Sequence, residues 1–194
     1  MLKFLGLFSC WLLLSGSISQ APPAAFSDTP VITKNSVGQA RIGMPLLKLK
    51  ETYKGCSFNP DYLSKYGFDE YGSKPDATLV SRDGQKLFVF WLDTQTKKVA
   101  GIFALNPAYH TAQGIHVGST AGQLKKVLPA VRVGPNELNT EMQIADIERG
   151  EYEKMGIQYV FFKQGILGKD KDSIVPSAIA VPNAKISWIQ VFPN

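Results

Sequence analysis

Apolar positions along this chain change their period several times, and the changes predict its elements. From Gln85 to Leu92 the residues are rich in Phe, Val and Trp. Asp83-Gly84 before them supplies the positive φ of a tight hairpin, and Asp93 to Thr96 makes a turn after them. The pattern predicts a strand over 85–92 between strands over 77–81 and 97–105. Strands joined this closely are antiparallel, since a parallel return needs a long crossover. A second set is predicted over Glu141–Glu148, Gly156–Lys163 and Ala184–Phe192. In two places the period lengthens to that of a helix. Leu46, Leu49 and Tyr53 form one stripe, and Ala121, Leu124 and Leu128 form another.

A glycine stands before each stripe, Gly43 and Gly118, and they lie 75 positions apart. Pro45 suits the first turn of the first helix, and Gly55 is placed to end it. Ser119 or Thr120 is placed to cap the second helix, and Pro129 stops it. Val31–Thr33 and Ile115–Val117 read as short opening strands. Residues 56–76 read as a loop with a short helix around Asp61–Tyr66, opened by the turn signal Asn59-Pro60-Asp61. Each half thus runs short strand, glycine, helix, strands. The expectation is an α+β fold of two tandem units. Each is a short helix, or helical hairpin, packed on a three- to four-stranded antiparallel sheet. The units span 31–107 and 108–194, and the second carries a loop insertion over 164–183. Self-similarity of this kind is the mark of an internal repeat.

Two motif pairs carry the repeat: Ile42-Gly43-Met44 with Leu49-Lys50, and Val117-Gly118-Ser119 with Leu124-Lys125. On these the chain resembles the tandem family that includes the beta-lactamase inhibitor protein. It also resembles the small outer-membrane assembly lipoproteins, which open one unit in a similar way. The resemblance covers roughly residues 31–194. It implies helical hairpins on four-stranded sheets and a function of binding protein rather than chemistry. The inhibitor carries disulfides, whereas this chain beyond residue 20 keeps only Cys56 and can form none internally. No contact residue of that family transfers to a position here.

The first twenty residues stand apart from the repeat. Lys3 is followed by an apolar run from Phe4 to Leu14 and a small, polar stretch ending near Ala21. This is the form of a secretory signal over 1–20, and the run is too short to span a bilayer. Cys10 lies inside the apolar run rather than closing it, which argues against lipidation. Residues 21–30 hold three prolines and read as a flexible tether. The expected location is the periplasm or the exterior, with no membrane segment after cleavage. The net charge of +5 becomes +4 when Lys3 is removed. The basic residues are scattered, which excludes the charged stripe of a nucleic-acid binder. At 44% hydrophobic and 11% aromatic, the chain can build a core without cross-links.

Candidate chemistry is thin. Cys56 follows a helix end, where a thiolate is disfavoured, and neither His110 nor His116 lies in a cysteine-hydrolase signature. The two histidines are six apart with no further ligand beside them, so no metal or cofactor is expected. Asp61, Asp69, Glu70 and Asp76 lack calcium-loop spacing. Ser119 lacks the second glycine of a nucleophile elbow. No catalytic residue is assigned.

The aromatics are more informative. Phe88 and Phe90 align with Tyr159 and Phe161, a natural core floor. Val89 and Trp91 point the other way and align with Val160 and Phe162. That face is too apolar to be left in water, so the other unit, a loop or a partner covers it. Ile174 and Val175 are apolar within the charged 164–183 loop. Trp91, Val89, Val160, Phe162, Ile174 and Val175 are therefore the candidate binding residues. The expected function is an exported, non-catalytic binding protein whose partner is another envelope or extracellular protein. A carrier of a small apolar ligand is the alternative, and an envelope hydrolase a further one.

Overall fold

The computed structural model describes residues 30–68, 73–136, 138–147, 156–169 and 175–192. In chain order its elements are β1 (Val31–Thr33), β2 (Ser36–Val37), β3 (Ala40–Arg41), α1 (Leu46–Thr52), β4 (Ser57–Asp61), β5 (Ala77–Arg82), β6 (Gln85–Leu92) and β7 (Val99–Ala104). There follow β8 (His110–Thr111), α2 (Ala121–Val127), β9 (Val131–Pro135), β10 (Met142–Ile147), β11 (Ile157–Phe162) and β12 (Trp188–Val191). One sheet of eight strands dominates, in the order β4-β5-β6-β7-β12-β11-β10-β9. All its pairings are antiparallel. A smaller sheet runs β3-β2-β1-β8, with β1 and β8 parallel.

Strand alternation sorts the side chains to two faces. On the first face Phe88, Phe90, Ile102, Ala104, Tyr159, Phe161, Ile189 and Val191 form one buried cluster. The small sheet covers it with Ile32, Val37 and Ala40, and the helices add Leu49 and Leu124. Tyr53, at the end of α1, meets Phe88 edge to face at 4.9 Å. Its hydroxyl accepts the N–H groups of Gln39 and Ala40 at 3.1 and 3.2 Å, which ties the helix to the small sheet.

The expected α+β fold of two units, each a helix on its own three- to four-stranded sheet, is overturned. β7 and β12 pair through Ile189↔Ala104, Gln190↔Phe103 and Val191↔Ile102, so both strand sets belong to one continuous sheet. Each helix has seven residues, about two turns, and is too short to cover four strands. The small sheet does that instead. Its strands have two or three residues, too few for an alternating pattern to be read. Two more strands were hidden by turn-forming residues: β4 contains Pro60, and β9 ends in Gly134 and Pro135. Ile115–Val117 is not a strand; His116 makes a single bridge to His110.

The two glycines do similar work. Gly43 and Gly118 take left-handed φ of 79° and 90°. Each donates its N–H at 2.8 Å to the opening of a central strand, Gly43 to the Val99 carbonyl and Gly118 to that of Ile186. Val99 and Ile186 donate back at 2.9 Å to the carbonyls of Met44 and Ser119. Capping differs between the halves. Thr120 and Gln123 form a reciprocal capping box at α2, while α1 starts at Pro45 with no side-chain cap. The predicted leader, and the tether up to residue 29, lie outside the described residues. None of the described helices is long and apolar enough to cross a membrane.

Candidate functional site

The second sheet face carries the candidate residues, and a segment of the chain itself lies across it. After β4 the backbone makes one 3-10 turn over Leu63–Tyr66, then reverses at Gly67 with a φ of 88°. This strap, residues 62–68, sets two rings on the sheet. Tyr66 packs on Phe103 at 5.1 Å and edge to face on Trp188 at 5.5 Å. Phe68 meets Trp91, Phe103 and Phe192 at 5.6, 5.8 and 6.1 Å. Beneath it Val89, Phe103, Met142, Val160 and Trp188 are buried as a second core cluster. The face is covered, and the cover is a loop.

Polar contacts hold the strap at both ends. Asp61, 4% exposed, receives the Lys65 ammonium at 2.5 Å, the Tyr66 hydroxyl at 3.0 Å and the Tyr62 N–H at 3.0 Å. Burial pushes its carboxyl up, but these three hydrogen bonds together outweigh burial and hold it below the usual carboxylate range. Tyr66 is shifted strongly upward, by burial first and then by the adjacent carboxylate. At the far end Asn136 donates to the Gly67 carbonyl at 3.4 Å. Gly67 is favoured there by its left-handed φ, and a Cβ would in addition lie 2.4 Å from Met142 Sδ and force that side chain to shift.

The six predicted residues fall at different depths. Val89 and Val160 are fully buried beneath the strap. Trp91 and Phe162 are half-buried at the margin of the same cluster, beside Phe192, Ile144 and Leu105. Val175 is 55% exposed on the loop that runs along the β9 edge. Ile174 lies outside the described residues. The loop is anchored there by Val133 and Ser177, each donating to the other's carbonyl at 2.9 Å, and by the burial of Leu167 and Ile179. Sequence reasoning missed Tyr66, Phe68 and Trp188. The short helix expected around Asp61–Tyr66 is present as the 3-10 turn over Leu63–Tyr66, and the missed signal was the crowding of Tyr62, Tyr66 and Phe68 into seven residues. Trp188 Nε1 is buried and has no hydrogen-bond partner among the described residues.

The residues weighed for chemistry sit elsewhere. The backbones of His110 and His116 meet in one bridge, and each ring places Nδ1 against a carbonyl, Thr111 at 3.1 Å and Val117 at 2.8 Å. Cys56 is half-buried, outside any disulfide, at the margin of the first core. Asp76 accepts the Leu63 N–H at 2.7 Å, and Asp69 and Glu70 lie outside the described residues. Among the described residues no three His, Cys, Asp or Glu side chains converge as a metal site would need. A shallow cleft of about 490 Å³ opens at the other end of the sheet. It is lined by Leu46, Lys50, Phe58, Pro60, Lys74, Pro75, Ala77 and Thr78.

No protein-family model matches this chain, and no curated protein matches it. Among solved structures it is similar to the uncharacterized protein yfeY from Escherichia coli. The TM-score is 0.56 at 15% identity, covering 84% of this chain and 99% of that one. At that identity the likeness shows a shared fold and nothing of function.

Proposed function

We propose that this chain is an exported protein that works by binding another envelope or extracellular protein, without catalysis. One observation carries the reading. Of the six large apolar side chains exposed among the described residues, three, Ile166 (48%), Val175 (55%) and Val181 (39%), belong to the 164–183 loop, while Leu47, Val127 and Leu138 lie singly on separate segments. Apolar surface gathered on one segment is what a contact site presents. Among the described residues of the loop, Ser177 is tied to Val133 of β9 by a reciprocal pair of backbone hydrogen bonds, two positions from Val175. Pre-organisation of this kind lowers the ordering cost of association. Trp91 and Phe162, at the margin of the covered face, extend the proposed surface. The same reading divides the chain at residues 107 and 108, with the β7–β12 pairing as the seam.

A photo-crosslinking residue placed at Val175 or Ile166 tests this in the source cell. The expected result is one protein adduct at these positions and none at Lys97, on a distant turn. Equal labelling at all three positions, or no protein adduct, refutes it. The carrier reading has one observation in its favour, the Trp188 indole N–H beneath the strap, unpartnered among the described residues. A lipid that co-purifies with the chain in native mass spectrometry, alongside no protein adduct, would replace the first reading with the second.

A further inference from the structure

The eight-stranded sheet has two edges, and they are treated differently. The β9 edge is occupied by the 164–183 loop, through the Val133–Ser177 pairing. The β4 edge has no such cover among the described residues: Ser57, Asn59 and Pro60 are exposed, and Phe58 is half-buried. An uncovered edge strand is a template for another chain. Pro60 has no N–H and so limits how far a ladder could extend, which shifts recognition there to side chains.

Those side chains form the 490 Å³ cleft that wraps this edge. Its lining is mixed: apolar side chains come from Leu46 of α1, Phe58 and Pro60 of β4, and Pro75 and Ala77 beside them, and polar ones from Thr78 and the lysines. Lysines stand at two places on its rim, Lys50 from α1 and Lys74 before β5, and both are exposed. Lys50 lies over the Phe58 ring at 5.8 Å, which holds its ammonium at the mouth. Among the described residues, Glu51 pairs with Lys48, and the Asp76 carboxylate accepts the Leu63 N–H. The cleft therefore pairs an apolar floor with two positive charges.

We infer that this cleft binds a short, extended, acidic segment of a partner protein. An apolar side chain of the segment rests on Phe58 and Leu46, and flanking carboxylates face Lys50 and Lys74. The inference rests on the reading of the chain as a protein-binding molecule, but it uses the opposite edge of the sheet from the loop.

A phage-displayed library of random short peptides, selected on the full chain, tests it. The expected winners alternate acidic with apolar residues, protect β4 amides from hydrogen exchange, and weaken as salt rises. The double variant Lys50→Glu with Lys74→Glu should lose affinity for them by on the order of tenfold, through like-charge repulsion. Its thermal melting should fall by only a few degrees, because both residues are exposed and the change costs the Lys50–Phe58 contact and a favourable charge in the last turn of α1. Basic winners, protection mapping away from β4, an empty selection, or undiminished affinity in the double variant would each overturn the inference. Crosslinking at Val175 separates the two readings. Adducts there with no acidic binder at the cleft remove the cleft proposal alone. Acidic binders at the cleft with no adduct at Val175 remove the loop reading alone.

Discussion

Gly101 lies directly across the β6–β7 pair from Trp91, and the indole rests on it. A Cβ built at Gly101 would come within 1.8 Å of Trp91 Cη2 and 2.1 Å of Cζ2. No adjustment of a few tenths of an ångström absorbs that, so in Gly101→Ala the indole has to leave. It would abandon Phe103 at 4.9 Å, Phe68 at 5.6 Å and Phe192 at 5.8 Å. A tryptophan that is half-buried returns on the order of 100 Å² to water, about 2.5 kcal/mol at ~25 cal/mol per Å². The lost ring pairs add about 1 kcal/mol or more. Alanine is the better strand residue, which gives back roughly 0.5–1 kcal/mol. The net expectation is a loss of about 3 kcal/mol. The decisive assay is a double-mutant cycle by urea denaturation, with Trp91→Ala as the second change. Trp91→Ala alone should cost a similar amount. In its background Gly101→Ala should cost within ~0.5 kcal/mol of zero, because the ring it displaces is gone, giving a coupling of about 2–3 kcal/mol. Additive costs would show that Gly101 is not there to seat the indole, and the account of this face would fail.

Asp61 gives the acid limb. Its carboxyl is held below the usual value, so its stabilisation is complete above about pH 4 and is lost as pH falls through the depressed value. Asp61→Asn should flatten that limb and cost about 1 kcal/mol at neutral pH, read from urea midpoints across an acid series. Tyr159 gives the alkaline limb. Burial raises it from 10.0 to about 12, with the Thr111 hydrogen bond opposing. Stability is therefore whole below pH 10 and falls as pH rises toward 12, by up to roughly 2.7 kcal/mol. Tyr159→Phe should remove most of that fall, with Tyr66 leaving a remainder; an unchanged alkaline midpoint would refute the assignment. Thr120→Ala breaks the capping box, in which Thr120 N–H donates to Gln123 Oε1 at 2.7 Å and Gln123 N–H to Thr120 Oγ1 at 3.2 Å. It should cost about 1 kcal/mol and speed amide exchange in α2, while α1 exchanges as before.

What could be read in the sequence was what short stretches decide for themselves. β6 runs over Gln85–Leu92 as expected, because its aromatics are bounded by turns that need no distant partner. Asp83 and Gly84 both adopt positive φ, at 49° and 75°, as the hairpin signal requires. Gly43 and Gly118 were marked as the points where strand passes into helix, and each takes the left-handed conformation that glycine permits. What could not be read depends on partners far along the chain. Nothing local to Ala104 or Ile189 says that β7 and β12 pair and fuse two strand sets into one sheet. Ser57–Asp61 looks like a turn because it holds Asn59 and Pro60. It is a strand only because it lies at an edge, where a missing N–H costs nothing.

The same distinction explains what happened to the candidate site. The alternation of Val89, Trp91, Val160 and Phe162 correctly marks a second apolar face, since period-2 patterning is local. Its cover is not local. Tyr66 reaches Trp188 and Gly67 reaches Met142, both across the sheet from the edge where the strap begins. A segment that looked like a connecting loop with a short helix thereby becomes a lid on a core, and the pattern that pointed to the face now points to its margin. Surface for a partner then has to be sought where no part of the chain supplies cover. The loop on the β9 edge meets that condition with exposed apolar side chains, and the cleft on the β4 edge meets it with lysines above an apolar floor. The two edges differ in chemistry, so on the proposed reading the apolar partner surface and the acidic segment would use different parts of the molecule.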